Sequence, residues 1–294
     1  MIQKSILKTD MQFYKEMGGI IEALKGVAAT EFFRLQKKQE KFDEFEEQMK
    51  GFFELMKVDN FKHPFLDSAS NSKFFVLITS DTGFLGKLNA EVVHLALEQY
   101  SQEDKFIVIG KQGDLYLSTE KIAGGLETFP GIADNITYSE IEKLRDYIFN
   151  KFLEEKKGSA TIIYPHFISF SVQKVQQFQL FPCRFLFGSE KSESSSFSGQ
   201  EELEEEEEII LEPSLKKVVE SFIKIWVGHL LLGVFWESKL SEWAARVMHL
   251  EQSSTEIKKT SKNLKHQYFR TLHELSDKGI REIFASKLAL EKDK

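Results

Sequence analysis

Apolar residues recur at intervals of three and four along the first part of the chain. Residues 10–58 contain no proline, and their apolar positions fall on one face of a helix with 3.6 residues per turn. So long a helix leaves that face uncovered unless a second helix packs along it. The pattern therefore predicts one partner of a coiled coil, or one member of a helix bundle. The apolar positions are Ile20, Leu24, Val27, Leu35, Phe42, Phe45, Met49, Phe52 and Met56.

The pattern changes to short apolar runs after residue 72. The runs 74–79 and 105–110 are typical of buried strands, and residues 88–101 between them have helical spacing. Strand, helix and strand in this order predict a βαβ unit with a parallel sheet.

A further helix and two further strands are predicted beyond this unit. Thr137 and Glu140 have the spacing of a capping box, which indicates that a helix starts there. Residues 159–170 and 176–182 have the composition of strands. Residues 72–183 are therefore expected to form a small central α/β domain of Rossmann-like type.

The last third of the chain returns to helical spacing. Residues 189–208 are rich in Ser and Glu with little to bury, so 184–212 is predicted to be an acidic linker, either a solvated loop or a site for a basic partner. From Pro213 no further proline occurs, and residues 213–294 are predicted to form one long helix. With the helix predicted for 1–60, it would form a long antiparallel coiled coil beside the central domain, an α+β or α/β architecture.

Composition narrows the class of protein. The 294 residues carry a net charge of −7, which argues against nucleic acid as a partner. The one cysteine, Cys183, rules out an internal disulfide. The most apolar stretch, 221–236, is interrupted by Lys224 and His229, so we expect a buried helix and no transmembrane segment. The N-terminus has no pattern of a signal peptide.

No catalytic, cofactor or metal site is predicted. Gly83, Gly86 and Lys87 suggest a phosphate-binding loop, but that loop needs four residues between its glycines and a hydroxyl after its lysine. Here two residues separate the glycines, and Leu88 follows the lysine. The seven histidines lack metal-ligand spacing, and no G-x-S-x-G elbow occurs.

Three segments, in order, resemble motifs of one family, the gamma subunit of rotary F-type ATP synthases. They are "IIEALKGVAATEF" (20–32), "ITSDTGFLGKLN" (78–89) and "ESKLSEWAARV" (237–247). The residues that match are Ile20, Ala23, Val27, Ala28, Ala29, Ile78, Thr79, Ser80, Asp81, Gly83, Gly86, Asn89, Glu237, Ser238, Ser241, Glu242, Ala244, Ala245 and Arg246, with Leu24 in place of a family methionine.

The resemblance implies a non-catalytic central stalk without a cofactor. Its coiled coil would enter a ring of alternating alpha and beta subunits, and its central domain would contact an epsilon-type subunit and the membrane rotor ring. It implies a peripheral location at the cytoplasmic face of the membrane. Asp81, Gly83 and Gly86 would form a structural turn. The residues implied at the interface of the shaft and the head are Ile20, Ala23, Leu24, Val27, Glu242, Arg246 and Tyr268.

The chain departs from the family pattern in its last helix. Leu272 and His273 stand where the family has an Arg-Gln pair that contacts the head, Gly279 stands for a glutamate, and Thr82 replaces a basic residue. These losses motivate an alternative, a gamma-like subunit of a specialised rotary ATPase. Two other readings stay open: a coiled-coil adaptor outside any ATPase, and a free-standing α/β enzyme with its site within residues 72–183.

Overall fold

The computed structural model describes residues 2–39, 62–67, 70–120, 125–129, 137–155, 157–187, 212 and 214–292. Parts of the predicted N-terminal helix (40–60), most of the predicted linker (188–211) and Pro213 lie outside these residues. The helices are α1 (Ile2–Gln39), α2 (Leu88–Leu97), α3 (Lys111–Ser118), α4 (Tyr138–Glu154) and α5 (Leu215–Lys292), and the strands are β1 (Lys73–Ile78), β2 (Lys105–Ile109), β3 (Leu126–Phe129), β4 (Ser159–Ser169) and β5 (Val172–Phe181).

The five strands form one mixed sheet in the order β3-β2-β1-β4-β5. The first four pair in parallel, which confirms the βαβ prediction, whereas β5 runs antiparallel to β4. A parallel sheet alone was therefore too simple an expectation. The turn between Ser169 and Val172 is too short for the crossover that a parallel pair requires, so the last pair is a hairpin.

Helix α3 and strand β3 were missed by the sequence analysis. Strand β3 has four residues and none of them is fully buried, so it lacks the apolar run that marks β1 and β2. Helix α3 has eight residues, including a glycine, and two of them are buried. Elements this short carry too few periodic positions to be recognised.

Pro165 lies inside β4 without breaking it. The pairing of β1 with β4 ends at Ile163, whereas the pairing of β4 with β5 continues to Ser169. Pro165 therefore lies beyond the end of β1, where the N–H that proline lacks is not needed by a second neighbouring strand.

Helices cover both faces of the sheet. On one face Val76, Ile107 and Ile162 pack against α4 and the first part of α5. On the other face, alternate residues such as Phe75 and Val108 pack against α2 and α3. The alternation follows from the two-residue period of a strand, and burial on both faces explains why β1 and β2 are apolar throughout.

Among the described helices, only α5 is long and apolar enough to cross a membrane, by length and composition alone. Its apolar residues have a different use here. Val219, Ile223, Val227 and Leu231 are fully buried in the core beside the sheet. The apolar stretch predicted as a buried helix is thus accounted for by packing.

The chain divides into two compact units, one made of residues 1–31 with 246–294, and the other of residues 32–245. The first contains parts of α1 and α5. The second contains the sheet, α2 to α4 and the remaining parts of α1 and α5. The mixed sheet covered by helices, together with the long terminal helices, confirms the predicted fold class. The four domain boundaries proposed from the sequence stay predictions.

We expect Ile107→Ala to lower the free energy of unfolding by about 2–5 kcal/mol, because a fully buried side chain would leave a cavity. The matched control is Ile168→Ala in the same sheet, where the side chain is half exposed and the loss should stay within about 0.5 kcal/mol. Urea unfolding followed by circular dichroism measures both. Equal losses would contradict the described core.

Candidate interaction surfaces and the SDTG turn

In the unit formed by residues 1–31 and 246–294, α1 and α5 pack side by side and antiparallel. Glu22 accepts hydrogen bonds from Ser254 and Lys258, and Lys25 donates to Glu251 at 2.8 Å. Residue numbers rise along one helix as they fall along the other, which fixes both direction and register. The contacts with Lys25, Ser254 and Lys258 lower the pKa of the Glu22 carboxyl to about 2, so it stays ionised at all physiological pH values.

Four of the predicted interface residues lie on the outer face of α1. Ile20 is 61% exposed and Val27 is 58% exposed, and Ala23 and Leu24 are exposed beside them. The sequence analysis placed Ile20, Leu24 and Val27 on the stripe that a partner helix covers. That expectation was wrong, because these three side chains are exposed, whereas the side facing α5 includes Gly18, next to the buried Ile257, together with Glu22 and Lys25.

The exposed face extends further than the sequence analysis recognised. Ile6 and Phe13 are also more than half exposed, so Ile6, Phe13, Ile20 and Val27 lie at intervals of seven residues. We call these four residues the outer stripe. The seven-residue interval is visible in the sequence and could have revealed it.

Glu242, Arg246 and Tyr268 have different surroundings. Glu242 is fully buried in α5, and its carboxylate lies 3.0 Å from the Lys239 ammonium. Arg246 is also buried, and Tyr268 is half-buried with its ring next to that of Phe269. A direct contact of these residues with another subunit stays a prediction.

The turn after β1 caps the helix that follows β2. Asp81 Oδ1 accepts a hydrogen bond from the Lys111 N–H at 2.9 Å, and Thr79 Oγ1 accepts one from the Gly113 N–H at 2.9 Å. The first amides of a helix are the groups with which a phosphate would interact. Here these amides donate to side chains of the protein itself. Asp81 and Thr79 therefore take the place that a phosphate ligand would have.

Two glycines allow the turn and α3 to approach this closely. A Cβ on Gly110, whose φ is 95°, would lie 2.2 Å from the Thr79 carbonyl oxygen, and one on Gly113 would lie 2.6 Å from Thr79 Oγ1. Within the turn, Gly86 has a φ of 58°, as expected for a structural glycine. Open space surrounds the position of a Cβ at Gly83, so its predicted structural role stays a prediction.

Ser80 and Asn89 close the turn from inside. Asn89 Oδ1 accepts from the Ser80 N–H, and Asn89 Nδ2 donates to the Ser80 hydroxyl. Both side chains are buried, which makes their mutual hydrogen bonds necessary. No group of three His, Cys, Asp or Glu side chains that could hold a metal ion occurs within the described ranges.

Comparison with known proteins decides the family. A family model described as ATP synthase matches residues 4–290, nearly the whole chain. The chain belongs to the ATP synthase gamma family. It is 26% identical to the ATP synthase gamma chain of Mycoplasmopsis pulmonis over 90% of this chain and 92% of that one. It is 25% identical to the gamma chain of Symbiobacterium thermophilum over 98% of both chains.

Solved structures agree on the fold. A chain of the Euglena gracilis mitochondrial ATP synthase (OSCP/F1/c-ring) superposes with a TM-score of 0.72 at 18% identity, covering 98% of this chain and 94% of that one. A chain of the Tetrahymena thermophila mitochondrial ATP synthase (central stalk/c-ring) gives a TM-score of 0.58 at 21% identity, covering 80% and 99%.

Family membership confirms the resemblance found in the sequence. The gamma chain is a non-catalytic component of the central stalk of the synthase, so the ATP synthase gamma family gives this chain a structural role in a membrane-associated F1 complex. That role accounts for a strand-to-helix turn that resembles a nucleotide loop but is filled by its own side chains.

We expect Asp81→Ala to lower the free energy of unfolding by about 0.5–2 kcal/mol, the usual cost of losing a helix cap. Asp81→Asn is the matched control, because it keeps the oxygen that accepts from Lys111 N–H and should lose less. Urea unfolding of the full chain measures both. A stability of Asp81→Ala equal to that of the unmodified protein would show that the cap does not hold α3.

Proposed function

We propose that this chain is the rotating shaft of an F-type ATPase. It would couple ion flow through a membrane ring to ATP synthesis or hydrolysis in a head of alpha and beta subunits. The observation that carries the proposal is the outer stripe of α1, which lies exposed on a helix that already has a partner.

The outer stripe is costly to leave in water. Burial of a large apolar side chain stabilises a protein by about 1.5–3 kcal/mol relative to exposure. Four such side chains in line on one helix face therefore favour a protein environment around that face. A ring of alpha and beta subunits surrounding the helix pair would supply it, and Ala23 and Leu24 lie on the same side.

The distribution of side chains around the helix pair supports rotation as the mode of coupling. The outer stripe lies on one side of α1, whereas Glu22 and Lys25 occupy the side that faces α5, where Lys25 contacts Glu251. Catalytic sites arranged around such a pair would each meet a different surface at a given moment. Each orientation would then favour one conformation of a beta subunit over the others, by a difference in contact free energy.

The domain that contains the sheet would stand outside the head, at the cytoplasmic face of the membrane. There it would contact an epsilon-type subunit and the membrane rotor ring. This placement is supported by the resemblance of the turn at Asp81 and of the strands around it to the family's central domain.

A second candidate is a gamma-like subunit of a specialised rotary ATPase. It is favoured by Leu272 and His273, which replace the family's Arg-Gln contact with the head, and by Thr82 in the turn. His273 is exposed on α5 and Leu272 is half-buried. Neither side chain can reproduce the bidentate hydrogen bonding of an arginine.

We expect Ile20→Asp to reduce binding to alpha and beta subunits at least tenfold, because a carboxylate would replace an apolar contact. Folding should be preserved, since the side chain is exposed. The control is Leu115→Asp on α3, an exposed apolar residue outside the outer stripe. Copurification with alpha and beta subunits measures the binding of each variant. Equal binding by the two variants would argue against the proposed surface.

The proposed function is tested by tagging the chain in its host and isolating it from gently solubilised membranes. Alpha and beta subunits in stoichiometric amounts, with ATPase activity, are the expected result. The accompanying membrane subunits would distinguish a main synthase from a specialised ATPase. Isolation without alpha and beta subunits would overturn the proposal and favour an adaptor.

A further inference from the structure

Five polar side chains form one connected network between α1 and α5 in the unit 1–31 and 246–294. Lys25 of α1 donates to Glu251 of α5 at 2.8 Å, and its ammonium lies 2.6 Å from Glu22 of its own helix. Glu22 accepts from the Ser254 hydroxyl at 2.7 Å and from the Lys258 ammonium at 2.9 Å. We call these five residues the ionic clamp.

The ionic clamp is packed against the apolar contact between the two helices. Ser254 is 2% exposed, and the Lys25 side chain is 25% exposed. One turn from Glu22, a Cβ at Gly18 would lie 3.5 Å from the side chain of the buried Ile257. The polar contacts are therefore partly shielded from water, which weakens their screening by salt.

The clamp residues keep their charges at physiological pH. Hydrogen bonds from Lys25, Ser254 and Lys258 lower the pKa of the Glu22 carboxyl. Hydrogen bonds to Glu22 and Glu251 raise the pKa of the Lys25 ammonium above its usual range. Both groups stay ionised, so the network is permanent and does not switch with pH.

Directional contacts between the two helices become absent beyond the clamp. Among the described side chains, none of α1 residues 4–17 makes a hydrogen bond or an ion pair with α5 residues 259–287. The ionic clamp thus supplies the last directional contacts between α1 and α5 before the N-terminal end of α1. Beyond it, the register of the pair has no such support.

Register is the property that this network is suited to hold. Apolar attraction is non-directional, so it opposes a slide of one helix along the other less specifically than hydrogen bonds do. Polar contacts within a helix pair are best known for fixing its register. Isolated exposed ion pairs contribute little to stability, so register explains a five-membered network here better than stability does.

We propose that the ionic clamp transmits torque between the two helices of the shaft. Lys25 and Glu22 would be positioning residues that keep α1 and α5 in one register while the pair is twisted under load. The inference rests on the proposed function and names the contact within the shaft on which coupling depends. Without the clamp, ATP hydrolysis would continue while less of its free energy reached the membrane ring.

The test uses the assembled complex in inverted membrane vesicles. ATP hydrolysis and the ATP-driven membrane potential are measured together, the latter with a potential-sensitive dye that responds whichever ion is moved. In Lys25→Glu a carboxylate faces Glu251, and we expect the potential formed per ATP hydrolysed to fall about fivefold or more, the lower limit of the usual coupling between two sites. Hydrolysis itself should be retained. An unchanged ratio would overturn the inference.

A charge swap and a matched control separate the clamp from general effects of charge. Lys25→Glu combined with Glu251→Lys places opposite charges across the pair again, and should restore the ratio. Arg270→Glu makes the same change of charge but breaks an ion pair with Glu274 that lies within α5, so it should keep the ratio of the unmodified complex. A swap that restores nothing, or an equal fall in Arg270→Glu, would contradict the clamp.

Assembly is checked in the same vesicles, by copurification of alpha and beta subunits with each variant. If Lys25→Glu prevents assembly, Lys25→Gln removes the charge without adding repulsion and is judged by the same ratio. An unmodified chain without alpha and beta subunits would overturn the proposed function itself. An assembled Lys25→Gln complex with an unchanged ratio would overturn the clamp alone.

Discussion

The parallel part of the sheet has to be covered on both faces, and much of the fold follows from that constraint. Strands β1 and β2 have no polar face to turn towards water, so each side needs an apolar helical layer. Helices α2 and α3 form one layer, and α4 with the first part of α5 forms the other. Helix α5 therefore begins as a core helix, which is why its sequence has the hydropathy of a membrane span without needing one.

Parallel pairing places the carboxyl ends of β1 and β2 side by side, at the edge where α/β folds commonly bind phosphate. In this chain its own side chains occupy that place. Asp81 and Thr79 accept from the first amides of α3, and Gly110 and Gly113 let the two segments touch. A negatively charged side chain at a helix N-terminus satisfies the same dipole and the same N–H groups as a ligand. The first amides of α3 thus have partners within the chain, which supports the predicted structural role of the turn.

The parts of this structure that the sequence predicted are those with a long period or a strong local signal. The strands β1 and β2, the capping box at Thr137 and the two long helices all belong to this group. Short elements such as α3 and β3 have too few apolar positions for a period to be recognised. The cap at Asp81 and the pair of His166 with Glu237 could not be predicted, because each joins residues that are far apart in the chain and become neighbours only through the sheet.

Helix α1 has apolar residues on more than one face. Helical spacing shows that apolar residues share a face, but it cannot show which of two faces a partner helix covers. Here the ionic residues Glu22 and Lys25 lie towards α5, and Ile20 and Val27 point away from it. Gly18 of α1 also lies next to the buried Ile257 of α5, so the seam has apolar contacts as in a coiled coil, and the exposed aliphatic side chains form a second apolar face. A second apolar face on α1 is consistent with the proposed enclosure of the helix pair by other subunits, and the ionic contacts within the pair set its register.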